Sequence, residues 1–535
     1  MMLKRILIAL LLPGGVLCSA GLFAQQASDS AWWNYEYISN ANPWLSSSGV
    51  TGLTRLQVNK ISKAALSFQK TDGKFINFYQ SDNSIAYSAS TESYYRLNNR
   101  VVLQGGLEYE NFNGKNMGGS ALIDPYKNPV DIDEYADTTR GKKKLERYLL
   151  TGAVSALVTN RLTLGARVNY EAANYAKMKD LRHVNKLTNI QATAGASYNL
   201  GHGIELGADY TYTRRIESVS FAIYGTTDKQ YISLINFGSF YGLAQLHGNY
   251  GYTSETRPLT NFTHTGALQL GLTFNENVQL VNRFSYGSRS GYYGERGTSS
   301  VVFTEHSSTL YGYEGTLSVK KQQALHSIKI KAGYEDLTNK ENVYRSETSS
   351  GGNTVIVYYG QNDLLKQQVT TASLGYTAYL GISNNNPRWV LRAGADYNDR
   401  QQTVTRYPYY RKQQISSYNL HLGGERNIIK GRGMYSLLLN AAYGAGSGTA
   451  KNDGVYVPPS SSQSQPASKD NYLYQEYEFF TKPRIQLQPA IRYSYNVDKR
   501  VAPYVQLNYA YTKAFDVSFT GDTRSVISAT IGCSF

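Results

Sequence analysis

From about Ile61 to the end of the chain, apolar side chains recur at every second position. Val101, Leu103, Leu107 and Tyr109 alternate with Gln104, Gly106, Glu108 and Glu110. Leu268, Leu270, Leu272 and Phe274 repeat the pattern, and Ile328, Ile330, Ala332 and Tyr334 alternate with Lys329, Lys331 and Glu335. Trp389, Leu391, Ala393, Ala395 and Tyr397 point away from Arg392, Asp396 and Asn398. The final stretch runs Ile527, Ala529, Ile531, Cys533, Phe535, with Ser528, Thr530, Gly532 and Ser534 between. A period of two places one face of a β-strand in an apolar medium and the other in a polar one. Runs of this length match strands that cross a bilayer at a tilt, which takes roughly 9–11 residues. No helical period competes.

The connections alternate in length. Short turns fall at Asn98-Asn99, Thr159-Asn160, Gly201-His202-Gly203, Asn275-Glu276-Asn277, Gln322-Gln323, Asn384 to Pro387, Gly431 and Asn496-Val497-Asp498. Long loops lie between them at 113–142, 218–260, 340–365 and 448–480. Short turns on one side and long loops on the other are the pattern of outer-membrane barrels, and a soluble sandwich has no reason to segregate them. The expected fold is all-β: a transmembrane antiparallel up-and-down β-barrel of about 18 strands, within 16–20. In the outer membrane its turns and termini would be periplasmic and its loops extracellular. A lipid-exposed substitution such as Leu270→Arg should impair insertion, whereas Gln269→Arg should be tolerated.

Residues 1–24 read as a secretory signal peptide, with Lys4 and Arg5 before a short apolar run. Bulky Leu17 before Cys18 argues against lipidation. Residues 25–53 form an N-terminal periplasmic or lumenal segment, and 54–535 the barrel. The segment carries Trp32, Trp33, Tyr35, Tyr37 and Asn42-Pro43-Trp44. Through Asn42-Pro43 it resembles the N-terminal hatch of fatty-acid-transporter-like barrels; an aromatic anchor is the other reading. Cleavage would leave Cys533 as the one cysteine, so no internal disulfide is expected. With a mean hydropathy of −0.42, helical membrane spans are not expected, whereas a closed barrel needs only alternate apolar residues. Tyrosine is the outlier, at 47 residues against 17 Phe and 4 Trp, and its amphipathic ring collects at membrane–water boundaries.

The net charge of +15 falls by two with Lys4 and Arg5 removed. In an exported chain this surplus meets anionic lipid and lipopolysaccharide headgroups, and no nucleic acid is expected. By parity the lumen receives Glu108, Arg167, Asp209, Arg283, Lys329, Arg392, Asp396 and Arg492. These charges either select solutes or pair with one another and with folded-in loops. Loop 218–260 is apolar, with Phe221, Ile223, Tyr224, Phe237, Phe240 and Tyr241, and should fold against the lumen mouth, the rim or another protein. The Pro458 to Ser468 stretch reads as an unstructured loop. The seven histidines are scattered, and His421 points inward. No catalytic constellation, metal-ligand spacing or cofactor motif emerges, so neither enzyme activity nor a cofactor is expected.

A chain ending on an amphipathic strand with Phe535 resembles the C-terminal signal that the barrel-assembly machinery reads. The "FAQ" cleavage region and the abundant Tyr and Asn resemble Bacteroidota-type outer-membrane barrels. That resemblance implies company with TonB-dependent transporters or surface lipoproteins. A TonB-dependent transporter itself is disfavoured, because residues 25–53 are too few for its plug domain. Three functions compete: a non-enzymatic accessory barrel of a nutrient-uptake or secretion complex, a stand-alone porin-like channel, and an integral-membrane enzyme.

Overall fold

A computed structural model describes residues 32–225, 228–248, 251–254, 256–348, 351–498 and 501–535. The expected signal peptide lies outside them. Eighteen antiparallel strands form one sheet that closes on itself, from Lys60–Asp72 to Thr523–Ser534. The last strand pairs with the first from Lys63↔Ser534 to Asp72↔Ser525. Closure leaves no strand edge without a hydrogen-bonding partner, the condition for a sheet to stand in lipid. At the seam, Ser62 and Phe535 exchange both backbone hydrogen bonds, at 2.8 and 3.0 Å. The Lys60 ammonium lies 5.2 Å from the Phe535 ring centroid.

The alternation resolves as outside and inside. Leu103, Leu150, Leu268, Leu374 and Leu422 project outward and are exposed. Tyrosines flank this apolar band: Tyr95, Tyr198, Tyr435 and Tyr493 toward the short turns, and Tyr148, Tyr210, Tyr397 and Tyr418 on the other side. An apolar belt between tyrosine girdles suits hydrocarbon bounded by two aqueous interfaces. The short turns use residues that accept positive φ: Gly201, His202 and Gly203 stand at 89°, 53° and 79°, and Asn384 and Asn385 at 51° and 60°.

The wall is uneven in height. Strands Ala324–Thr348 and Thr354–Leu380 contain 25 and 27 residues, against 12 in Arg484–Tyr495 and 12 in Thr523–Ser534. The loop expected at 340–365 is therefore mostly a continuation of this hairpin. The loop expected at 448–480 is structured too. Strand Gly433–Val455 runs into it, and Asp470–Thr481 is a helix that buries Tyr472, Leu473, Glu476 and Glu478. Alternation along strands gave no hint of this helix, because its buried face mixes Tyr472 and Leu473 with Glu476, Glu478 and Thr481 and so shows no clear apolar period. His264 sits within Arg257–Asn275, where its Nδ1 pairs with the Tyr210 hydroxyl at 2.6 Å.

Candidate functional site

Both ends of the lumen are filled by the chain itself. At the short-turn end, residues 32–58 fold inward as two brief helices, Tyr35–Asn40 and Pro43–Ser46, followed by a 3-10 turn. Asn34 and Asn42 cap the helices through their side-chain oxygens, each accepting a backbone N–H. Tyr37, Ile38, Leu53 and Leu56 pack on the inward residues Tyr94, Val102, Leu325, Tyr379 and Val390. Polar ties add direction. Arg55 meets Glu205 at 2.6 Å, Arg392 meets Glu36 at 2.7 Å, and Lys329 donates to the Ser46 carbonyl at 3.1 Å. Glu314 accepts the Ser48 N–H, while Arg167 donates to the carbonyls of Ser48 and Gly49. This segment is a plug.

At the long-loop end a four-stranded sheet forms a dome, in the order Ala467–Ser468, Tyr241–Leu246, Ile232–Asn236, Asp131–Glu134. Its apolar side chains Ile132, Ile235, Phe237 and Tyr241 pack on the inward wall residues Leu259, Tyr293, Leu337, Leu365 and Val404. Phe78, Leu234, Phe240, Tyr472 and Leu473 form a second cluster that ties the Asp470–Thr481 helix to the dome. Phe237, Phe240 and Tyr241 are at most 2% exposed, so they build the fold and cannot meet a partner. Phe221 packs partly against the same core, which leaves Ile223 and Tyr224 exposed. The partner surface expected across this loop is corrected accordingly: burial against the lumen wall satisfies most of its apolar side chains.

Charged groups pin the dome to the wall. Arg411, 2% exposed, reaches Asp453, Asp470, Ser468 and the Ser239 carbonyl. Arg147 and Arg215 converge on Asp124 and Glu171. Arg400 meets Glu476 at 2.8 Å. Glu478 accepts the backbone N–H groups of Ser518, Phe519 and Thr520. Within the dome, Asp131 and Asp133 are both buried, and burial first, then mutual repulsion for Asp133, holds their carboxyls above the usual range, Asp131 at about 6.

Between plug and dome, the lumen is polar and reached by solvent. Glu108 and Asp396 are exposed there, and Glu108 makes no hydrogen bond or ion pair with the described residues. Asp209 accepts from Gln269 at 2.5 Å and from Arg283 at 2.7 Å. Arg392 also touches Glu425 at 3.4 Å, Arg492 donates to Gln506 at 2.9 Å, and His421 stands 3.6 Å from Asp396. Of the eight charges chosen by parity, the structure joins only Asp209 and Arg283 to each other. Glu36, Glu425 and Gln269 were missed as their partners, because such pairing is across space and no local pattern encodes it.

Two cavities open onto this region. One, about 300 Å³, lies against the plug and is lined by Ser39, Asn40, Gln104, Arg167 and Asn169 among others. The second, about 290 Å³, lies on the wall formed by strands Thr354–Leu380, Trp389–Arg406, Tyr409–Lys430, Gly433–Val455 and Arg484–Tyr495. Its inward residues include Arg392, Asn419, His421, Asn440, Gln486 and Gln488. Among the described residues no cluster of three or more His, Cys, Asp or Glu could hold a metal ion.

The fold and its filled lumen define an outer-membrane-type β-barrel closed by a plug and a dome. The chain belongs to a family of unknown function (DUF6850), which it matches over residues 50–535. No curated protein matches it. Among solved structures it is similar to BauA, the ferric preacinetobactin receptor of Acinetobacter baumannii, at 10% identity and a TM-score of 0.40, covering 89% of this chain and 80% of that one. The outer membrane transporter YddB of Escherichia coli aligns at 8% identity and 0.40, covering 88% and 81%. The toluene transporter TbuX of Ralstonia pickettii aligns at 11% identity and 0.31, covering 91% and 92%.

Proposed function

We propose that this protein is a non-enzymatic barrel of the outer membrane that serves as an accessory component of a nutrient-uptake or secretion assembly at the cell surface. The observation that carries the reading is the double closure of the lumen. A free diffusion pore needs a continuous aqueous path, whereas here the Glu36–Arg392 and Arg55–Glu205 pairs hold a plug at one end and a packed dome fills the other. The tall hairpin Ala324–Leu380 offers a platform beyond the membrane, with Tyr344, Tyr358 and Tyr359 exposed near its tip. In this reading the long loops face outward, and a TonB-dependent transporter or surface lipoprotein is the partner.

The test is a mild-detergent purification of tagged protein from native outer membranes, with mass spectrometry of what accompanies it. A stoichiometric transporter or lipoprotein is the expected result. A barrel that purifies alone and conducts steadily in planar bilayers, with its plug intact, would overturn the reading in favour of a porin-like channel.

A further inference from the structure

The second cavity gathers several side-chain amides in one place. Several inward amides and hydroxyls elsewhere satisfy one another across strands. Thr151 bonds Asn169, which bonds Gln191, and Gln402 bonds Gln413 while accepting from Gln367. In the cavity, by contrast, Asn419, Asn440, Gln486 and Gln488 make no hydrogen bond with any described residue, although they sit on three adjacent strands. Four side-chain amides present donors and acceptors together, in one place, with only water to answer them.

Glycines shape the hollow. One inward row of the register reads Gly375, Gly394, His421, Ala442, Gln486, and the next reads Thr377, Arg392, Gly423, Asn440, Gln488. A Cβ on Gly394 would collide with His421, and one on Gly423 with Asn440. The missing side chains therefore let the larger ones lie flat along the wall, and the space above them stays open. Arg392, the cation of this wall, is held by both Glu36 and Glu425, and His421 stands 3.6 Å from Asp396. An anionic ligand therefore meets no cation that carboxylates do not already hold. A neutral ligand with several hydroxyls, each both donor and acceptor, matches the amides. The volume lies near the lower bound of small-molecule clefts, roughly 300–1,000 Å³.

We infer that this hollow, whose lining sets Ala393, Ala441 and Ala442 among four side-chain amides, is a binding site for a small, uncharged, polyhydroxylated solute of the size of a mono- or disaccharide, with C–H faces for the one and hydroxyls for the other. The inference is independent of a partner protein: a barrel that purifies alone and binds such a solute would overturn only the accessory role. The test is isothermal titration of the full mature chain in detergent with glucose and maltose as neutral probes, and gluconate and glucosamine as charged ones. Saturable millimolar or tighter binding of a neutral probe is expected, with no binding of the charged ones. Binding should fall at least tenfold in Asn440→Ala/Gln488→Ala, and separately in Ala442→Leu, which fills the hollow. Unheated electrophoretic mobility certifies that each variant is folded. Absence of neutral-sugar binding by the unaltered chain, preference for a charged probe, or undiminished binding by folded variants would each overturn the inference; the first two need no variant.

Discussion

Individual side chains here carry opposite obligations on the two faces of one strand. Leu270→Arg places a guanidinium on the lipid face and should cost roughly 2–4 kcal/mol of insertion stability if near the midplane. Its neighbour Gln269 is not the neutral control that alternation alone predicts. It is 4% exposed and bonded to Asp209, which Arg283 already engages, so Gln269→Arg would crowd a second cation into that pair. Thr265, half-buried and facing Gly287, is the better inward control. Urea titration of vesicle-embedded protein should separate Leu270→Arg from Thr265→Arg. The Asp131–Asp133 pair makes a second prediction. Their carboxyls titrate higher in the folded state than in the unfolded one, so the folded dome binds more protons between the two values. Its stability must then fall as pH rises through that interval, to beyond about 6 for Asp131. Asp133→Asn should flatten this slope, read as hydrogen exchange of the dome amides between about pH 4 and pH 8. An unchanged slope would mean that the pair is not what titrates.

Elements are locked into the lumen by a few buried contacts each. The Asp470–Thr481 helix depends on Glu478, whose carboxylate accepts three successive backbone N–H groups from residues 518–520. Glu478→Ala would leave those donors without their protein partner; Ser518 and Phe519 are exposed, whereas Thr520 is buried, and a donor that water does not reach costs about 1–3 kcal/mol. Faster hydrogen exchange at Phe519 and Thr520, with the barrel strands unaffected, is the expected readout. The plug is held by ion pairs as well as by Tyr37, Ile38, Leu53 and Leu56. Removing residues 32–58 should therefore raise single-channel conductance only if the dome also yields; an unchanged trace would identify the dome as the tighter seal.

For the whole molecule, closure is the governing fact. Every barrel strand pairs on both sides, and the ring is completed where Ser62 meets Phe535. The folded barrel should resist SDS until heated, since no strand edge offers a place to begin unravelling. Phe535→Ala leaves the backbone pair intact and removes only the ring beside Lys60. If Phe535 is read during assembly, the variant should reach the outer membrane in lower yield and yet refold in detergent as well as the parent. Equal losses in both assays would make the ring merely structural.

The strand period, the short turns and the terminal amphipathic stretch determined the architecture by themselves, because a two-residue repeat is a local property and each strand announces its own faces. Eighteen strands follow from counting those repeats, and inward positions such as Arg392 and Asp396 follow from parity. The contents of the barrel were decided by tertiary structure. Whether Phe237 and Tyr241 meet a partner or a lumen wall depends on Leu337, Leu365 and Val404, about a hundred or more residues away in sequence and adjacent only once the ring has closed, and Phe240 depends in the same way on Phe78 and Tyr472. The same holds for Glu36 and Arg392, and for the hollow under Asn440 and Gln488. Glycines at 375, 394 and 423 were visible in the sequence, but a cavity exists only where the register sets those absences beside one another.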